Sequence, residues 1–475
     1  MKKFLALFAA LVLCICCFAG CNAGGGNVAP DLGEVDELPA FDTSKEVTIT
    51  FYHTMGANLR EVLDFYIVEF NKLYPNIKIQ HEQVGGYDDV RDQIKTEITV
   101  GGQPNIAYCY PDHVALYNLA KATQSLDTLI GSTQTVTRAD GSTETIGLTE
   151  AQIADFIQGY YNEGREFGDD KMYTMPLSKS TEVLYYNKTF FDKHNLTPPS
   201  TWDELETLCA EIKKIDPDCI PLGYDSEANW FITMCEQLGT DYTSATGDHF
   251  LFDNADNHAF VKKFRDWYQK GYVTTQELSG GYTSELFTMA ETDKGNSYMS
   301  IGSSAGATHQ RPDKVDGAYP FDVGITTIPQ MDANNAKVIS QGPSLCIFKK
   351  ADPQEVIASW LFVKYLTTTV EFQAEFSMAS GYVPVIKSVG DNAVYASFLE
   401  SADGGDAISA LSAKVCLQQE SAYYTSPAFN GSSVARDQVG LLMQACLSSD
   451  AAGDVDAMIA KVFADAVAEC EYQAG

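Results

Sequence analysis

The stretch VTITFYHTMGANLREVLDFYIVEFNKLYPNIKIQHEQV, residues 47–84, decides the fold class. Its first seven residues are β-branched or aromatic for the most part, which suits a pleated strand. Leu59, Val62, Leu63, Tyr66, Phe70 and Leu73 then recur at helical spacing on one face, and Pro75 stops the helix. IKIQHEQV, 77–84, reads as a second strand. A strand, a helix and a strand of these lengths make a crossover between parallel strands, and such a sheet is covered by helices. The pattern continues with Val90, Ile94 and Ile98 on one helical face, a stop at Gly101-Gly102, and NIAYCY, 105–110, as the next strand. The chain is α/β.

Elements further along agree. Thr201-Trp202-Asp203-Glu204 has the spacing of a capping box, placed just after Pro198-Pro199. Residues 355–378 are expected to form one long helix. Residues 454–470 form another, with Val455, Met458, Ile459, Val462, Phe463, Ala466, Val467 and Cys470 in register. The Thr-, Ser- and Gly-rich spacing of 131–147 predicts a surface loop. At 475 residues the chain exceeds a single compact core, so two or three domains are expected.

Composition narrows the partners. A formal charge of −32, spread along the chain, repels phosphate backbones and anionic headgroups, which argues against nucleic acid and peripheral membrane binding. Twenty-five Tyr and 25 Phe argue against disorder.

The amino terminus reads as an export signal. Lys2 and Lys3 precede an uncharged apolar run from Phe4 to Phe18, too short for a spanning helix. Phe18-Ala19-Gly20-Cys21 resembles the bacterial lipobox, which implies a signal peptide over 1–20 and a diacylglycerol-bearing thiol at Cys21. Two acyl chains anchor stably where one is marginal. Cys14, Cys16 and Cys17 would leave with the signal. Residues 21–44, rich in Gly, Pro and acid, are expected to act as a flexible tether with a mean reach of about 25 Å. The remaining cysteines, Cys109, Cys209, Cys219, Cys235, Cys346, Cys416, Cys446 and Cys470, show no ligand spacing and read as buried thiols, with a Cys209–Cys219 bridge left open.

No nucleotide-binding or zinc-protease motif is present in the sequence, and His53, His81, His113, His194, His249, His258 and His309 lack metal-ligand spacing. No cofactor or metal is expected. Gly302-Ser303-Ser304-Ala305-Gly306 fits the GxSxG elbow of serine hydrolases, which would make Ser304 a nucleophile. The only later histidine is His309, five residues on, which leaves no room for the intervening acid. The same turn serves equally as a cluster of hydroxyl and N–H donors for a ligand.

Three stretches carry a resemblance. YTMPLSKSTEVLYYNKTFFDKHNLTPPSTWDEL (173–205), QGPSLCIFKKADPQEVIASWLFVKYL (341–366) and SGYVPV (380–385) resemble the extracellular solute-binding proteins, family 1, over roughly residues 45–475. The resemblance implies a two-lobed, periplasmic-binding-protein-like clamshell that captures a small solute between its lobes and hands it to an ABC permease. The first lobe would comprise 45–179 and 335–379, and the second 180–334 and 380–475. It further implies no catalysis, an extracytoplasmic, membrane-anchored location, and a monomer. Within the family the similarity is to the glycerol-3-phosphate-binding branch. It matches Tyr87, Ser180, Ser303, Ser304, Gly342, Tyr382 and Arg436 to ligand contacts, and Trp230 to a stacking position. Arg offers a bidentate fork, Tyr and Ser hydroxyls donate, and Gly lets backbone approach. The branch's glutamate is replaced by Pro111, with Asp112 beside it as the candidate, and Lys179 replaces a small polar residue. A sugar, a polyol or a glycerol phosphate fits, and a neutral oligosaccharide is the rival. Each position also has a structural alternative: hinge packing for Tyr382, a surface ion pair for Arg436, core for Trp230, and a plain turn for Ser303-Ser304.

Overall fold

The computed structural model describes residues 32–35, 37–288, 297–401, 407–450 and 453–474. Cys21, the export signal and the start of the tether lie outside the described residues.

The chain opens with β1 (Val47–His53), β2 (Ile77–Gln83) and β3 (Ile106–Cys109). A short hairpin of β4 (Thr135–Thr137) and β5 (Thr143–Thr145) and then β6 (Thr174–Pro176) complete the first half. The second lobe contributes β7 (Glu182–Asn187), β8 (Leu222–Tyr224), β9 (Val273–Thr275), β10 (Met299–Ser303) and β11 (Val323–Thr326). After β12 (Val338–Ile339) the chain returns to the first sheet as β13 (Ser344–Ile347), and a last short strand, β14 (Tyr423–Tyr424), pairs with β12.

Two five-stranded sheets result, ordered β2-β1-β3-β13-β6 and β11-β7-β10-β8-β9. In the first, β1 pairs in parallel with β2 (Val47 opposite Ile77) and β3 (Phe51 opposite Ile106). The returning β13 runs antiparallel between β3 and β6. The predicted crossover is therefore present, with the helix Ala57–Leu73 burying Leu63, Tyr66 and Phe70. In the second sheet β10 is parallel to β8 and antiparallel to β7.

The core packed on the first sheet continues onto Val183, Tyr185 and Ile325 of the second, and the second sheet has a further core of its own. Phe51, Phe70 and Phe362 meet edge-on over the first sheet, with ring centroids 6.4 Å (Phe51–Phe362) and 5.1 Å (Phe70–Phe362) apart. Trp202, Trp230, Phe264 and Trp267 fill the second. The capping box at Thr201 is present, its hydroxyl accepting from Glu204 N at 3.2 Å.

Two elements differ from expectation. The helix expected over 355–378 is two, Pro353–Thr368 and Val370–Ser380, because Thr369 takes up an extended conformation between them. The break falls in a run of β-branched threonines, which are poor helix formers. The expected loop 131–147 contains the hairpin β4/β5, and it buries Val136 and Ile146. Its threonines alternate as a strand needs, and Gly141 turns the chain at φ +84°. The carboxy-terminal helix spans Val455–Ala474 and buries Ile459, Phe463, Ala466 and Cys470.

Three chain segments cross between the sheets side by side. Ser180 and Gln341 exchange backbone hydrogen bonds at 2.8 Å, and Lys179 and Val383 exchange two more at 3.1 and 2.6 Å. The result is a narrow ribbon joining two lobes. All eight described cysteines are free and buried, so Cys209 and Cys219 are not bridged.

Candidate functional site

Beside the ribbon lies a cavity of about 180 Å³ with walls from both lobes. The first lobe supplies Tyr110, Pro111, Asp112 and Glu163; the second supplies Ile232, Tyr242, Pro427, Ala428 and Arg436, among others; Gln341 comes from the ribbon itself. Asp112 stands in the first turn of the helix Pro111–Leu119, where the helix end favours a carboxylate. Its Oδ2 accepts a hydrogen bond from Ser433 Oγ of the opposite lobe at 2.6 Å.

Arg436 projects from the helix Ser432–Ser448 and is held by an amide chain. Asn229 Oδ1 accepts from the Arg436 guanidinium, and Asn229 Nδ2 donates to Glu182 Oε1 at 2.8 Å. Asn229 and Gln341 also form a reciprocal amide pair at 3.1 and 3.3 Å. Glu182 is buried on β7, and its other oxygen accepts from Tyr224 OH at 2.5 Å. Burial pushes its carboxyl up to about 7, against the pull of the Tyr224 and Asn229 hydrogen bonds and the Arg436 charge.

Tyr87 and Tyr382 do not line the cavity but back its wall. Tyr87 stacks on Tyr110 at 4.4 Å, and burial, then the neighbouring Tyr110 and Tyr382 hydroxyls, push the Tyr87 phenol well up. Tyr382 likewise influences Tyr110, which in turn feels Arg436. Tyr87 and Tyr110 form one aromatic shelf, with the Tyr382 hydroxyl beside it.

The other sequence candidates sit elsewhere. Ser180 lies in the crossing ribbon. Gly342 adopts φ +101°, and a Cβ there would come within 2.6 Å of Ser178 O and 2.9 Å of Lys179 Cα. The close approach its glycine permits is therefore ribbon on ribbon. Ser303 is exposed and caps its own turn, its Oγ accepting from Ala305 N at 3.3 Å. Ser304 is 0% exposed, and its Oγ accepts from Thr181 N at 3.1 Å. His309, its only histidine neighbour in sequence, is exposed. Ser304 is thus buried at the base of the ribbon, where a substrate has no access, which removes the geometric basis of the hydrolase alternative. Trp230 is 0% exposed, stacked between Tyr224 at 5.1 Å and Phe264 at 4.1 Å. It belongs to the second lobe's core and offers no face to a ligand.

Sequence reasoning missed Glu163, Glu182, Asn229 and Gln341. The only signal for Asn229 was its place one residue before Trp230 at the start of the helix Glu227–Leu238. Among the described residues no group of three or more His, Cys, Asp or Glu side chains is arranged to hold a metal, and no helix is long and apolar enough to cross a membrane.

The sequence profile of the bacterial extracellular solute-binding proteins matches residues 66–399. The chain is similar to the sn-glycerol-3-phosphate-binding periplasmic protein UgpB of Escherichia coli K12, 25% identical over 377 residues, which cover 76% of this chain and 79% of that protein. Among solved structures it resembles the cyclic α-maltosyl-1,6-maltose binding protein from Arthrobacter globiformis (TM-score 0.68, 18% identity, 90% of this chain and 100% of that one). It also resembles UgpB from Mycobacterium tuberculosis in complex with glycerophosphocholine (TM-score 0.67, 17% identity, 90% of this chain and 99% of that one). At these identities the structural likeness is one of fold, a two-lobed α/β clamshell.

Proposed function

Because the chain belongs to the bacterial extracellular solute-binding proteins, we propose that it is the lipid-anchored capture component of an ABC importer, taking a carbohydrate-class solute of glycerol phosphate size. The anchor would be Cys21 and the tether 21–44. The lobes 45–179 with 335–379, and 180–334 with 380–475, would close about the ribbon and deliver the solute chemically unchanged to the permease, as a monomer.

The observation that carries this reading is the interlobe cavity with Arg436 in its wall. Only a closed clamshell brings Arg436 and Tyr110 to the same space, so a solute touching both stabilises closure. A guanidinium fork held by an amide oxygen, rather than by a carboxylate, keeps its charge available for an anionic group. A volume near 180 Å³ is below the roughly 300–1,000 Å³ of drug-sized ligand sites, which favours a glycerol phosphate or monosaccharide over an oligosaccharide. The names of the curated relatives support the phosphate class.

One observation favours a longer solute. A groove of about 600 Å³, also lined by both lobes, shares Ala428 with the cavity, and His249 stacks on Phe429 along it at 4.7 Å. A ligand extending past Ala428 would find a ring platform there.

A thermal-shift screen of glycerol 3-phosphate, glycerophosphocholine, glucose and maltose tests the proposal. A micromolar solute at millimolar concentration stabilises by about 4 kcal/mol, readily seen. The expected hit is a glycerol phosphate, lost in Arg436→Ala. Hits confined to neutral sugars that survive Arg436→Ala would overturn the phosphate assignment, and no hit at all would overturn the solute-binding one.

A further inference from the structure

Glu163 is 4% exposed, yet it lines the interlobe cavity. Its Oε2 is engaged by Lys179 Nζ, which also donates to Gly342 O at 3.2 Å and Ser344 Oγ at 3.0 Å. The three protons of the ammonium thus meet three acceptors, which fits a charged lysine and a carboxylate partner. Among the described residues the other oxygen, Oε1, has no hydrogen-bond partner, and it is not sealed from the cavity. A nearly buried carboxylate with one oxygen open toward the cavity is an acceptor waiting for a donor.

We propose that Glu163 is a specificity-determining residue of the cleft, accepting a hydrogen bond from a hydroxyl of the bound solute, and that Lys179 holds it in place. This rests on the cleft being the solute site. It commits the solute to a hydroxyl-bearing class, because a carboxylate oxygen accepts and cannot pair with another bare acceptor. Unlike Asp112, whose Oδ2 is occupied by Ser433, Glu163 carries its load into the ribbon: Lys179 stands between Glu163 and the crossing segment at Gly342 and Ser344. A hydroxyl docked on Oε1 therefore presses on the crossing segments directly.

Lys179 is a positioning residue in this scheme. Replacing it alone leaves a buried carboxylate without its cation, while replacing both partners leaves no orphan charge.

The test is calorimetric titration of the full chain with glycerol 3-phosphate, glycerophosphocholine and maltose, and with propyl phosphate, which keeps the phosphate and lacks the hydroxyls. Wild-type protein is expected to hold propyl phosphate about 10- to 100-fold more weakly than glycerol 3-phosphate, the range for a hydrogen bond to a charged group. Glu163→Gln is expected to narrow that gap to a few-fold. Should Glu163→Gln fold poorly, Glu163→Gln with Lys179→Met removes both charges, and the wild-type comparison of the two phosphates needs no variant. Equal wild-type affinity for the two phosphates overturns the proposal. So does any hydroxyl-bearing solute held equally by wild type and both variants, with the solute-site reading left standing. Binding of none of these solutes by wild-type protein overturns the solute-site reading, and this proposal with it.

Discussion

Asp112 and Ser433 are joined across the two lobes: the serine hydroxyl donates to Asp112 Oδ2 at 2.6 Å. Five residues upstream, Ala428 N donates to Glu166 O of the first lobe at 2.9 Å. Both bonds run from one lobe to the other, so parting the lobes breaks them, and they weigh an open–closed equilibrium without touching either lobe's core. Ser433→Ala is expected to shift that equilibrium by about 1 kcal/mol, roughly a fivefold weaker apparent affinity. Calorimetry reads the affinity; unfolding of the solute-free protein in urea should be nearly unchanged.

Glu182 makes stability fall as pH rises. Burial raises its folded-state pKa from 4.5 to about 7, so the native state binds more protons than the unfolded state between those values. The associated stabilisation is fully present below pH 4.5 and is lost by about pH 7, amounting to roughly 3 kcal/mol. Urea unfolding of wild type and Glu182→Gln at pH 5 and pH 8 should show the wild-type advantage shrinking as pH rises. An unchanged difference between the two proteins would contradict it.

His53 works in the opposite direction. Burial, then His81 and Arg60, lower it from 6.5 to about 3, with Asp64 pulling upward. Its Nε2 meets His81 Nδ1 at 2.8 Å, and its Nδ1 accepts from Met55 N at 3.1 Å. The unfolded state binds the extra proton, so this stability is full above pH 6.5 and is lost as pH falls toward 3. His53→Gln is expected to flatten the acid limb of a pH–stability curve while lowering its plateau.

Gly342→Ala strains the ribbon twice, through its φ of +101° and through a Cβ 2.6 Å from Ser178 O. A loss of about 1–3 kcal/mol is expected in urea unfolding, together with altered affinity, because the displaced backbone belongs to the ribbon that joins the lobes.

Much of the fold was legible because burial pattern follows position in the first sheet: central β3, buried on both faces, reads as a continuous apolar run, and β1 alternates buried with more exposed residues as a strand with one covered face does. The break at Thr369 was not, since the apolar residues of 353–368 and 370–380 stay in helical period across it and only backbone geometry separates them. At the cavity, Arg436 was named from the resemblance and Asp112 as the acid beside Pro111, where the resemblance departs, and both line it, whereas Trp230 packs in the core: an aromatic near a pocket and an aromatic in a core share one sequence signature. Glu163 carried no motif, and Glu182, inside the resembling stretch 173–205, had no role attached to it. Their importance arises from contacts 16 residues away for Glu163 (Lys179) and 47 residues away for Glu182 (Asn229), which only the folded chain brings together.

On the proposed function, two lobes joined by a three-segment ribbon close on a solute at Arg436. Small-angle X-ray scattering of the full chain, titrated with glycerol 3-phosphate, tests it most directly. A saturable fall in the radius of gyration, absent in Arg436→Ala, is the predicted result. Saturable binding by calorimetry with no change in the scattering curve would contradict the account.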